Sequence, residues 1–162
     1  MNFSKISLRA IVAVVAGILI LGFLNWSIFQ KESIVQKGRI VLLQLAPVDP
    51  RSLMQGDYMA LRFALANKVS SEVSRDEMIV LKLDENNVAN FERIDDGHSA
   101  LQDDEIRFRY RLPNAFFFEE GQGKAYELAR YGEFRVTDSG NATLTQMRDE
   151  GFNVMGRGVA RD

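Results

Sequence analysis

A chain of 162 residues, 46% hydrophobic and 26% charged, has room for one folded domain of about 130 residues beside a membrane segment. Its net charge of −2 becomes −4 once the first thirty residues, which hold Lys5, Arg9 and no acid, are set aside; that balance argues against nucleic acid as a main partner, since phosphate binding needs a basic surface. The absence of cysteine excludes disulfides, thiolate nucleophiles and cysteine zinc sites, and the single histidine, His98, excludes a histidine-rich metal centre, so no metal or cofactor is expected.

Residues 10–29 read AIVAVVAGILILGFLNWSIF, interrupted only by Asn25 and Ser27. At ~1.5 Å per residue twenty residues span ~30 Å, the hydrocarbon thickness of a bilayer. A cleaved signal peptide would need small residues near its end; the bulky Phe23 to Phe29 stretch favours a retained anchor. Lys5 and Arg9 precede the segment, and the charges of Lys31 and Glu32 after it balance. The positive-inside bias therefore places the N-terminus in the cytoplasm and the remainder outside. The expected organisation is a cytoplasmic N-terminus (1–9), a transmembrane helix (10–29), a juxtamembrane linker (30–38), an extracytoplasmic β-rich domain (39–150) and a tail (151–162).

Within the exported part, residues 39–45 (RIVLLQL) read as a buried strand stopped by Pro47. Asp49-Pro50-Arg51-Ser52 reads as a type I turn, and Gly56-Asp57 turns the chain into a strand over 58–63. There Met59, Leu61 and Phe63 share one face, and Tyr58, Ala60 and Arg62 the other. Residues 69–77 are a loop or short helix. Residues 78–83 and 88–94 form a hairpin about an acidic, asparagine-rich turn. Residues 105–112 (EIRFRYRL) alternate cleanly: Ile106, Phe108, Tyr110 and Leu112 point one way, Glu105, Arg107, Arg109 and Arg111 the other. A short helix is expected near 123–130, with Ala125, Leu128 and Ala129 on one face. Residues 133–147 close the domain with a hairpin, and the glycine-rich tail after Asp149 frays. The fold class is mainly β (α+β), a small antiparallel β-rich domain with one short helix.

Gly56-Asp57-Tyr58-Met59-Ala60-Leu61-Arg62-Phe63 resembles the motif of the GDYXXLXY family of bacterial proteins, with Phe63 where the motif ends in tyrosine. Residues 47–53, 118–121 and 129–133 are similar to further blocks of that family. The resemblance implies a membrane-anchored protein of bacterial envelopes, and with the one apolar segment and its charge bias the expectation is a single-pass protein of the inner membrane with a periplasmic domain. It supplies no reaction. It also implies companionship with a larger multi-spanning membrane protein.

Candidate functional residues follow from the same stretch. Asp49, Pro50, Arg51, Gly56, Asp57, Tyr58, Leu61 and Phe63 form the motif. As a polar pocket, its two aspartates would take a cation or do acid–base work and Arg51 would hold an anion. Turn chemistry alone accounts for the same residue types and is the preferred reading. Ser52 invites comparison with serine–lysine peptidases, with Lys68 or Lys82 as base, but the block that follows the nucleophile in those enzymes is absent. A small-ligand pocket of Tyr58, Arg62 and Arg51 is the remaining alternative. Arg107, Arg109 and Arg111 form a basic row, either a contact surface or a solvated face paired with acids such as Glu92. Asp95, Asp96 and His98 make a poor metal site. Of Phe116, Phe117 and Phe118, at least one must face outward, which marks a contact with anchor, bilayer or partner. The expected function is a non-enzymatic binding or accessory subunit of a membrane complex.

Overall fold

The computed structural model describes residues 8–46, 54–55, 58–69 and 73–156. Helix α1, Leu8–Lys37, contains the apolar stretch Ile11–Phe29, whose mean hydropathy of 2.4 and lack of buried surface suit a membrane span. The helix ends one residue before β1, Arg39–Gln44. A short strand β2, Met54–Gln55, and β3, Tyr58–Ala60, follow, then a single helical turn, α2, Leu65–Lys68. The hairpin β4, Met78–Leu83, and β5, Ala89–Ile94, precedes β6, Glu105–Arg109, and β7, Ala115–Phe117. One turn of 3-10 helix, Gly123–Tyr126, leads to β8, Tyr131–Val136, β9, Ala142–Arg148, and β10, Val154–Met155.

Among the described residues these strands form three antiparallel sheets, ordered β1-β8-β9-β10, β2-β3-β7 and β5-β4-β6. Hydrophobic alternation sets the register. In β1 and β8, Val41, Leu43, Phe134 and Val136 turn inward, and in β6 Ile106 and Phe108 do so. Phe134 joins the sheets: its ring meets Phe63 at 5.6 Å and Phe108 at 5.9 Å, both edge-on. Such packing adds about 0.5–1.5 kcal/mol per pair beyond area burial. Met59, Ile79, Leu81 and Met147 fill the space around them.

The β8–β9 hairpin turns through Thr137 to Asn141, where Gly140 takes φ +80° and its carbonyl accepts the Arg109 N–H at 2.8 Å. A side chain at Gly140 would strike Met78 as well as strain the backbone.

Four local expectations change. The strand expected to run through Phe63 leaves its sheet after Ala60: the Leu61 N–H binds the Asn114 carbonyl, and Phe63 bridges Leu45 instead. The short helix near residues 123–130 is only one 3-10 turn, Gly123–Tyr126; over the stretch, Tyr126 and Ala129 are buried while Ala125 and Leu128 face solvent. The glycine-rich segment after Asp149 turns back on Asn153, whose N–H the Asp149 carboxylate accepts at 2.8 Å, so Val154–Met155 pairs with β9. Glu105, grouped with the outward arginines, is only 5% exposed.

Candidate functional site

The motif residues that the structure describes divide between surface and core. Asp49, Pro50, Arg51, Gly56 and Asp57, with Ser52, lie outside the described residues. Tyr58 opens β3 and pairs in register with Phe117 of β7, the two ring centroids 5.7 Å apart. Both rings occupy the outer face, because the pleat sends Met59 inward between Tyr58 and Ala60. Phe117 is 71% exposed. Its neighbours turn the other way, and Tyr126 sits between them, 5.4 Å from Phe116 and stacked on Phe118 at 5.1 Å. Burial of the Tyr126 ring pushes its hydroxyl pKa up. The triple phenylalanine thus splits into two anchors and one exposed ring, as strand alternation requires.

Leu61 and Phe63 are buried. Phe63 lies flush against Gly132, where a Cβ would come within 3.0 Å of the Phe63 ring and 3.1 Å of Leu144. The last position of the eight-residue motif therefore packs directly on a glycine of the downstream block at 129–133, which gives both stretches a shared structural task. Next to that glycine, Glu133 is 1% exposed. Its Oε2 accepts Arg148 Nε at 2.6 Å and Gln146 Nε2 at 2.8 Å, and Arg135 Nε stands 3.6 Å from Oε1. Arg135 also donates to the Gly38 carbonyl at 3.3 Å, which ties the end of α1 to the sheet. Residue-by-residue reading missed this buried carboxylate, since alternation alone puts Glu133 on the outward face of β8; two arginines and a glutamine from sequence-distant positions satisfy it there.

The arginine row is largely committed to local partners. Arg107 Nε binds Asp95 at 2.8 Å and Arg109 Nε binds Asn141 at 3.2 Å. Arg111 remains 65% exposed, 3.7 Å from Asp76. Glu92 is not the counter-charge, because β6 pairs with β4 and not with β5, the strand that holds Glu92. The acid at the head of the row, Glu105, makes a two-pronged pair with Arg93 and accepts the Gln102 N–H at 3.0 Å. The guanidinium beside it, then that backbone donor, hold the Glu105 carboxyl at about 2.

The remaining residues singled out for chemistry are spoken for or lie apart. Asp96 folds its loop, accepting the N–H groups of Ser99 and His98 at 2.9 and 3.0 Å, and these donors hold its carboxyl at about 2. Asp95 belongs to Arg107, so the acids beside His98 are engaged within the fold. Lys68 donates to Asn90 at 2.9 Å and Lys82 pairs with Asp104 at 3.4 Å. Among the described residues no three metal-ligating side chains come together. What the described part of the motif presents outward is an aromatic pair, Tyr58 on the middle strand of its sheet and Phe117 on the edge strand.

No curated protein and no solved structure matches the chain significantly. A family model described as GDYXXLXY protein matches residues 20–147, which takes in the end of the apolar helix, the motif and every strand through most of β9. The chain belongs to the GDYXXLXY family.

Proposed function

We propose that this protein is a single-pass envelope protein of the bacterial inner membrane. Its N-terminus is cytoplasmic, and its extracytoplasmic β-rich domain is a non-enzymatic accessory subunit that docks onto another, larger membrane protein. The exposed Phe117 ring, paired with Tyr58 at the edge of a three-stranded sheet, is the observation that carries the reading. An aromatic left 71% open beside a second aromatic is the kind of anchor that interfaces bury at their centre. The span Ile11–Phe29, with Arg9 before it, supports a retained anchor and the inside-to-outside orientation.

Three variants test it. Phe117→Asp should remove the proteins that co-purify with the detergent-extracted chain, whereas Leu128→Asp, at a position of similar exposure outside the sheets, should not. Both should keep the sheet signal in circular dichroism. Asp57→Ala should weaken the same association in a folded domain. Unchanged co-purification by Phe117→Asp would remove the docking reading, and an unfolded Asp57→Ala would make the motif's aspartate scaffold.

A further inference from the structure

A cleft of about 530 Å³ runs between two sheet edges. On one side is β7, the outer strand of its sheet; on the other is β9, which pairs with β10 only at Met147 and Arg148. Among the described residues, no strand pairs with β7 on its far side or with 142–146 on the side away from β8. The Leu61 N–H to Asn114 carbonyl bond sets the phase of the ladder: Met59 and Phe116 fall in hydrogen-bonded register, so the backbone groups of Ala115 and Phe117 turn outward. Exposed edges are ordinarily blunted by lysine, proline or charge; residues 142–146 read ATLTQ and carry none, although the register shift opposite Glu133 and Phe134 ends the regular run at Leu144. The floor is apolar, from the partly exposed Leu144 and the buried ring of Phe134. Among the described residues, the charged ones lining the cleft are Arg75 and Arg111, with no acid; Arg111 stands 3.7 Å from Asp76.

We infer that this cleft takes an extended, acidic segment of a partner protein as an added strand joining β7 and β9. Main-chain hydrogen bonds to the two open edges would hold it. Alternate side chains would then divide, apolar ones onto Leu144 and carboxylates onto Arg75 and Arg111. The inference deepens the docking reading by naming the partner's chemistry, and it rests on that reading.

The test uses the full chain in detergent and fluorescence anisotropy with a labelled, acetylated hexapeptide of alternating valine and glutamate. Binding should saturate and be at least about tenfold tighter than for the valine–lysine counterpart, the 1.4 kcal/mol scale of one charge-assisted contact. Arg75→Glu combined with Arg111→Glu should invert that preference. A peptide N-methylated at alternate residues, which cannot complete a ladder, should lose binding. No saturation, equal binding of the methylated peptide, or displacement by glutarate as effective as by unlabelled peptide would each overturn the strand reading. A concentration-dependent dimer abolished by the double variant would overturn it too, by assigning the cleft to a second copy. If the peptide fails while Phe117→Asp still releases the co-purifying partner, the docking reading survives and the cleft assignment does not.

Discussion

Tyr58 and Phe117 stand opposite each other on β3 and β7 with ring centroids 5.7 Å apart, which joins the motif to the aromatic run that lies nearly sixty residues later. Phe117 shows 71% of its surface, against 7% for Phe118. Phe118→Ala should therefore cost about 3–5 kcal/mol, the loss typical of a large aromatic removed from a core. Phe117→Ala should cost less than about 1 kcal/mol, the worth of one partly open aromatic pair. Urea unfolding followed by circular dichroism separates the two.

That contrast shows how far the sequence could be read. Three adjacent phenylalanines cannot share one side of a strand, so an exposed ring was legible from spacing alone, and so were both ends of β4 and, to within one residue at its start, β5. Which phenylalanine faces outward depends on pairing with β3, a contact distant in sequence. Glu133 was illegible for the same reason: Gln146, Arg148 and Arg135 satisfy it from across β9 and along β8. The expected partner of the arginine row failed because sheet order, with β4 between β5 and β6, is not written in local periodicity. The helix near residue 125 shortened because Tyr126 is drawn between Phe116 and Phe118, which local propensity does not register.

Gly132→Ala should destabilise the domain by about 1–3 kcal/mol, because Phe63 and Leu144 already press on that position. Phe63 cannot retreat, since Phe134 backs it at 5.6 Å. Adding Phe63→Leu should recover part of the loss, and a double-mutant cycle would show coupling beyond additivity. Additive losses would contradict the contact.

Glu133→Leu should cost on the order of 3 kcal/mol by leaving Arg148 and Arg135 without their shared acid. Combining it with Arg148→Met should restore much of that stability, as replacing a whole buried pair by apolar groups commonly does. Thermal unfolding of the three proteins is sufficient to check both parts.

Acid sensitivity should trace in part to Glu105. Its carboxyl is held at about 2 against an ordinary 4.5. A depressed carboxylate contributes stability that is complete above its unfolded value, here 4.5, and is lost as pH falls through 2. Glu105→Gln should thus lower the urea midpoint at neutral pH and flatten its decline across that window. Curves for the two proteins should converge near the acid end.

The docking of the aromatic edge can be tested where it would occur, by placing a photo-activated benzoylphenylalanine at position 117 and irradiating intact membranes. One discrete protein adduct from position 117, absent when the same group replaces Leu128, is the expected result. Lipid adducts alone, or the same adducts from both positions, would contradict a protein partner on the Phe117 face.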